Sequence, residues 1–429
     1  MNSINEASIR QAYSLAKERY SALGVNADTA LANIAKLPIS LHCWQGDDVR
    51  GFETDAGGTS GGILSTGNYP GAARTGDELR ADYEKALSLI PGKHRVNLHA
   101  IYAETDGISV PRDQLKTEHF RKWIDWAKKL GVGVDFNPSC FGHPMAASGF
   151  TISSADETVC QFWIRHVEVC RAISADIGKE IGSPCVMNIW FPDGMKDQPA
   201  DRLGFRQRMK DALDVVFATK YDRKHLIDAL ESKLFGIGVE SYTVGSHEFV
   251  LGYGLKNNLT VCYDMGHFHL TESVADKISA TLLFAEDLLL HVSRPVRWDS
   301  DHVVTLNDDL LALAQEVKRC DAFNRIYFAL DFFDGSINRI MAWVTGTRAA
   351  QKALLIAMLE PTHLLREAES AGNYGRRLAL LEECKTLPFA AVWDMFCLQA
   401  GVPVGTDWVD IAGTYEQEVL NKRVQGACL

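Results

Sequence analysis

The chain has 429 residues, of which 46% are hydrophobic and 23% charged, with a net charge of −11. This is an ordinary globular composition, long enough for one large domain with extensions or for two domains. The excess of 55 acidic over 44 basic residues argues against nucleic acid, whose binders carry a basic stripe, and suits small molecules and metal cations. No apolar run approaches the roughly 20 residues of a membrane helix, so no membrane partner is expected.

Residues 5–22 read as an amphipathic helix, with Ile9, Ala12, Leu15 and Ala16 at helical spacing. Leu37-Pro-Ile-Ser-Leu-His-Cys-Trp44 reads as a strand. A Gly-rich stretch, 46–71, follows and is long for a loop, a feature that usually marks function. It lacks GxxxxGK[ST] and so carries no phosphate-loop signature. Strand-like runs and helical stretches then alternate: helix 76–90 and strand 95–102, 114–130 and 132–138, 156–182 and 185–193, 199–219 and 226–234, 246–256 and 259–267, 273–285 and 288–293, 307–322 and 325–334.

Together with the strand at 37–44 this makes eight β/α units, which predict a parallel sheet closed into a (β/α)8 TIM barrel. An open doubly wound sheet is disfavoured, since no GxGxxG follows the first strand. Beyond residue 340 strands cease. Helical segments at 340–358, 361–371, 375–385, 388–400 and 407–424 predict a C-terminal all-helical extension. The expected division is a barrel with its N-terminal helix over 1–340 and an extension over 341–429, suited to oligomerisation.

Ten cysteines occur without CxxC pairs, which reads as buried thiols in a reducing compartment rather than a disulfide framework. The N-terminal residues show no basic start followed by an apolar core. A cytoplasmic location is expected.

Barrel chemistry sits at the C-terminal ends of strands. Those ends carry His42, Trp44, His99, Asp135, Asn137, Asn188, Trp190, Asp193, Glu231, Lys233, Asp264, His267, His291, Asp331 and Asp334. Singly, each is ambiguous. A strand-end aspartate is commonly a helix cap, and Asp334 stands where it could cap the next helix. The set is more specific than its members. Glu231, Asp264, His291 and Asp331 come from four consecutive strands and can surround one cation.

His267, Asp299 and Asp301 lie just past the sixth and seventh strands and can hold a second cation one layer higher. In Trp298-Asp-Ser-Asp301 the two aspartates are two residues apart. If that segment is extended they face the same side. Carboxylates and imidazoles without thiolate suit Mn²⁺, Mg²⁺ or Zn²⁺. Lys233, two residues after Glu231, faces inward with it, either toward a substrate oxygen or into a salt bridge with the same carboxylates. Such a layout fits metal-assisted isomerisation of an open-chain sugar. It equally fits a two-metal hydrolase, and a non-catalytic sugar-binding protein stands as a third reading.

Long strings at these residues resemble the L-rhamnose isomerases, metal-dependent aldose–ketose isomerases, over nearly the whole chain. They are Leu41-His-Cys-Trp-Gln-Gly-Asp-Asp48, Gly67-Asn-Tyr-Pro-Gly71, Asn97-Leu-His-Ala-Ile-Tyr102, Asp135-Phe-Asn-Pro-Ser-Cys-Phe141, Met187-Asn-Ile-Trp190, Glu231-Ser-Lys-Leu-Phe-Gly-Ile-Gly238 and His291-Val-Ser-Arg-Pro-Val-Arg-Trp-Asp-Ser-Asp-His-Val-Val304. The resemblance implies a homotetramer that interconverts L-rhamnose and L-rhamnulose by a 1,2-hydride shift. It implies Glu231, Asp264, His291 and Asp331 around a structural cation, Mn²⁺ or Zn²⁺, and His267, Asp299 and Asp301 around a catalytic Mn²⁺. It further implies Lys233 at the reacting oxygen, Asp331 in proton movement between O1 and O2, and His99 at the ring oxygen. His267 touches the substrate as well, and Trp190 and Phe136 lie against the sugar's apolar face and C6 methyl.

Overall fold

The computed structural model describes residues 5–53, 67–234 and 241–425. Half of the Gly-rich stretch, 54–66, and the end of the Glu231–Gly238 string lie outside the described residues. Eight strands form a closed, all-parallel barrel: β1 Ile39–His42, β2 His94–His99, β3 Gly133–Asn137, β4 Cys185–Ile189, β5 Leu226–Glu231, β6 Thr260–Asp264, β7 Leu288–Val292 and β8 Ile326–Leu330. Neighbours in the sheet are neighbours in sequence, and β8 closes on β1 through Ile39 opposite Phe328 and Ser40 opposite Ala329. A two-residue antiparallel ladder, Gly194–Met195 with Tyr242–Thr243, sits outside the barrel. Among the described residues, no helix is long and apolar enough to cross a membrane.

β7 reads Leu-Leu-Leu-His-Val and is buried throughout. Leu288, Leu290 and Val292 join the core between sheet and helices, while Leu289 joins a separate cluster inside the barrel with Val186, Ile227, Ala229, Cys262 and Ala329. His291 shares the inward phase of Leu289. β5 to β8 thus direct alternate residues into the barrel, apolar below and ligand-bearing above.

Two sequence expectations are corrected here. A helix that periodicity did not mark, Ala27–Ile34, follows the first one, Glu6–Ser21, its start held by the Asn26 side chain accepting from the Thr29 amide at 3.0 Å. The boundary at 340 also moves. The helix Arg339–Met358 packs on β1 and on the helices Gly76–Leu87 and Asp308–Arg319, so it is the eighth barrel helix and the extension begins after it. Its start is a junction: buried Arg339 donates to both Asp48 carboxylate oxygens at 2.9 and 2.7 Å and to the Tyr69 carbonyl at 2.7 Å.

The extension comprises Thr362–Ser370, Tyr374–Cys384, Phe389–Gln399 and Asp407–Tyr415, then a wider helical turn over Glu416–Leu420 and a last short helix, Asn421–Gln425. It folds back on its own barrel. Phe389–Gln399 lies along the first helix, Glu6–Ser21. Glu416 accepts from Tyr69 at 2.6 Å and Asn338 at 2.7 Å. Arg423 grips both oxygens of Asp82 at 2.7 and 2.8 Å, and Tyr415 donates to the same carboxylate at 2.8 Å. Asp82 is 1% exposed. Removing one partner of such a buried pair costs roughly 3 kcal/mol, because the remaining charge stays buried. Arg423→Ala should therefore lower the unfolding free energy from denaturant titration by that amount; a change below about 0.5 kcal/mol, typical of a surface site, would show that the tail does not lock onto the barrel.

Candidate metal centre

The C-terminal ends of β5 to β8 converge on a solvent-connected cavity. Glu231 from β5, Asp264 from β6, His291 from β7 and Asp331 just beyond β8 each offer one ligand atom, all within 4.8 Å of one another. Glu231, Asp264 and His291 are each the last inward-facing residue of their strand, and Asp331, one residue past β8, continues the inward phase of Ala329. His291 Nδ1 lies 3.2 Å from Asp331, 3.4 Å from Glu231 and 3.8 Å from Asp264.

A second group, Asp264, His267 and Asp299, likewise brings its ligand atoms within 4.8 Å of one another. Asp264 is common to both, a sharing the sequence did not reveal. His267 follows β6 by three residues, and its Nδ1–H donates to the Ser232 carbonyl at 2.7 Å. That bond orients the ring and leaves Nε2 as the lone-pair edge, the arrangement in which histidine serves as a metal ligand. Nε2 accepts from the Lys233 ammonium at 3.0 Å, and Lys233 also donates to Asp299.

Asp301 belongs to the cavity wall but not to that group. The extended geometry that would aim Asp299 and Asp301 the same way is not adopted. Arg297 and Asp301 take positive φ of 69° and 44°, and the Ser300 hydroxyl accepts from the Val296 amide at 2.9 Å. The segment is a tight turn, closed by a bridge between Arg294 and His302. Asp299 goes inward, whereas Asp301 faces the cavity and accepts through its carbonyl from the Phe333 amide at 3.1 Å.

Electrostatics match a cation site. Burial pushes the Asp264 carboxyl up to about 7, with Asp331, Glu231 and Asp299 adding to the rise against the pull of His267. Burial followed by Asp299 and Asp331 also raises Asp301 strongly. Burial works against the Lys233 ammonium, yet Asp299, Asp301 and Asp264 outweigh it and hold it charged. Glu231 Oε1, Asp264 Oδ2, Asp299 Oδ1 and both His291 nitrogens are buried without a hydrogen-bond partner among the described residues. Leaving so many polar atoms unpaired is costly. Oxygen and imidazole donors gathered this way fit a divalent cation.

The remaining sequence candidates separate cleanly. Trp44 Nε1 donates to Asp331 Oδ1 at 3.1 Å. Asn188 donates to Glu231 Oε2. His99 lines the cavity, edge-on to Trp44 at 4.6 Å and to Phe141 at 5.5 Å between ring centroids; burial lowers it to about 3, so it is a neutral imidazole. Trp190 forms the opposite wall, its ring 5.2 Å from the Lys233 ammonium.

Asp135 instead holds Arg95 at 2.8 and 2.9 Å inside the barrel, and Asp193 accepts from the Ser153 amide at 2.9 Å. His42 is fully buried against Phe332. Asp334 accepts from the Ser336 amide at 2.8 Å, while Asn338 caps the helix in its place.

Phe136 is a correction. It is fully buried and packs edge-on against Phe120 at 5.1 Å, on the helical side of β3. Asp135 and Asn137 take the inward phase, so alternation turns Phe136 away from the cavity. Phe141, at the end of the same string, lines it, with Val49, Cys140 and Phe333. Sequence reading missed these residues, and the inward phase of Asp135 and Asn137 was the available signal. Arg112 was also missed; it fixes the loop behind Phe141 through the Phe141 carbonyl at 2.6 Å and the Ser139 carbonyl.

A closed parallel barrel with a carboxylate–imidazole cluster at the C-terminal ends of its strands defines a barrel enzyme. The family model of L-rhamnose isomerase matches residues 7–423. Curated L-rhamnose isomerases of Escherichia coli O17:K52:H18 and of Salmonella paratyphi B are each 57% identical over 415 residues, covering 97% of this chain and 99% of theirs. The chain belongs to the L-rhamnose isomerase family and is an isomerase. Membership favours this reading over the two-metal hydrolase. Among solved structures, an L-ribulose 3-epimerase aligns over 78% of this chain and 97% of its own at 15% identity and TM-score 0.45. A 3-keto-D-glucoside 4-epimerase from E. coli aligns over 74% and 97% at 11% identity and TM-score 0.45.

The two phenylalanines provide a test. Phe136→Leu should lower stability by about 1 kcal/mol or more and leave KM within about twofold. Phe141→Leu, also a core residue, should raise KM as well as lower stability. The reverse pattern, read from melting curves and steady-state kinetics, would invert their assignment.

Proposed function

We propose that this chain interconverts L-rhamnose and L-rhamnulose, with Mn²⁺ in the group Asp264, His267 and Asp299, Asp301 beside it, and a second cation, Mn²⁺ or Zn²⁺, among Glu231, Asp264, His291 and Asp331. The observation that carries the reading is the pair of ligand groups sharing Asp264 at the mouth of the barrel, in a chain of this family. When bound, the cations supply positive charge that polarises a carbonyl and the hydroxyl beside it.

The chain's own residues act around that charge. Lys233, held charged by three aspartates, donates to the oxygen at the reacting end of the open-chain sugar. Asp331, aimed by Trp44, moves a proton between O1 and O2 while hydrogen passes between C1 and C2 as a hydride. Neutral His99 donates to or accepts from the ring oxygen, as ring opening requires. Trp190, Phe141, Val49 and Phe333 present an apolar wall that suits a C6 methyl and disfavours a hydroxyl, since a desolvated hydroxyl without a partner is costly.

Assembly and location extend the same reading. A homotetramer is supported by Tyr374, Leu378 and Ile411, which the extension leaves 61%, 59% and 38% exposed. A cytoplasmic location fits the nine free cysteines of the described residues.

Chelation should abolish formation of L-rhamnulose, and return of Mn²⁺ should restore it; failure of any divalent cation to restore ketose formation would overturn the reading. Asp299→Asn should cut kcat by more than the roughly 10- to 100-fold typical of lost outer-shell partners without unfolding the chain. An Asp299→Asn enzyme of ordinary kcat would remove Asp299 from the site.

A further inference from the structure

Below the ligand layer the inner faces of β5 to β8 carry an apolar cluster, and Cys262 sits at its border. Its strand neighbour on the same face, two residues on, is Asp264, and its packing partners are Ala229, Leu289 and Ala329 of the interior cluster. The sulfur is fully buried. It lies within 4.8 Å of a Glu231 oxygen and a His291 nitrogen, which lie equally close to each other. Glu231 and His291 thus belong to two overlapping groups. One adds Asp264 and Asp331 above; the other adds Cys262 below.

His291 is 1% exposed, and neither ring nitrogen has a hydrogen-bond partner among the described residues. Nδ1 faces the carboxylates of Asp331, Glu231 and Asp264, and Nε2 is on the other edge of the ring. A histidine fixed only by secondary contacts would place one nitrogen on a carbonyl, as His267 does with Ser232. His291 does not.

We propose that Glu231, Cys262 and His291 form a separate position for a thiophilic divalent cation of the Cd²⁺ kind, overlapping the oxygen-rich position so that one ion at a time occupies the pair. The proposal rests on the reading of the upper group as a cation site. Carboxylates suit hard cations such as Mn²⁺, and a thiolate selects soft ones. Binding exchanges one S–H bond for one S–metal bond, the proton leaves to buffer, and no electron changes hands. Because Glu231 and His291 are shared, a thiophilic ion draws both away from Asp264 and Asp331. It therefore competes with Mn²⁺ at the inner position and leaves His267 and Asp299 free.

The full chain, stripped of metal, is titrated with ¹¹³Cd²⁺ and followed by cadmium NMR and by thiolate-to-cadmium ultraviolet absorption. A resonance in the range of mixed sulfur, nitrogen and oxygen coordination is expected. Cys262→Ser should remove the absorption and weaken Cd²⁺ binding about tenfold or more, with Mn²⁺ affinity changed far less. A wild-type resonance in the range of oxygen and nitrogen ligands alone overturns the proposal, and does so even if the variant fails to fold. Absorption that survives Cys262→Ser, or that survives Glu231→Gln at unchanged Cd²⁺ affinity, places the ion on another cysteine and overturns it as well. Mn²⁺-restored isomerisation reports separately on the upper site, so either result leaves that reading distinguishable.

Discussion

Five carboxylates, those of Glu231, Asp264, Asp299, Asp301 and Asp331, converge in a buried mouth, and mutual repulsion among them is the constraint around which this structure is built. Two imidazoles and one ammonium share the space. Among the described residues, Lys233 is the ammonium set among these groups, and it reaches one edge through Asp299 and His267. The burial that raises Asp264 and Asp301 is tolerable when positive charge sits among them, which makes the cation part of the fold's own electrostatics as well as of its chemistry.

The scaffold keeps these groups in place by tying loops to elements far away in sequence. Arg339 binds the loop after β1 to the eighth helix. The extension then clasps that loop through Tyr69 and the helix behind it through Asp82. Backbone carbonyls orient functional side chains, as Ser232 does for His267. Trp44 joins the first strand to Asp331 across the barrel seam. The outer helices and tail therefore hold rigid a mouth whose own groups repel one another.

Much of this was legible in sequence because a parallel barrel has one rule. Strand ends bear the chemistry, and alternation assigns the faces. That rule located Glu231, Lys233, Asp264, His291 and Asp331 without any structure. It failed where it was not applied or did not hold. Phe136 was assigned to the cavity although Asp135 and Asn137 already claimed the inward phase. Asp299 and Asp301 were paired by an extended-strand argument, but positive φ at Arg297 and Asp301 makes the segment a turn. No sequence pattern announced that turn, since neither residue is glycine. The shared role of Asp264 depends on how close two loops approach β6, and the placement of helix 339–358 on the barrel depends on the junction at Arg339; both are tertiary facts that periodicity does not encode.

The two-cation mouth is tested most directly by anomalous diffraction at the manganese edge from crystals grown with Mn²⁺. Two peaks are expected, one within bonding distance of Glu231, Asp264, His291 and Asp331, the other of Asp264, His267 and Asp299. A single peak away from Asp264, or none with Lys233 still seated between His267 and Asp299, would contradict it.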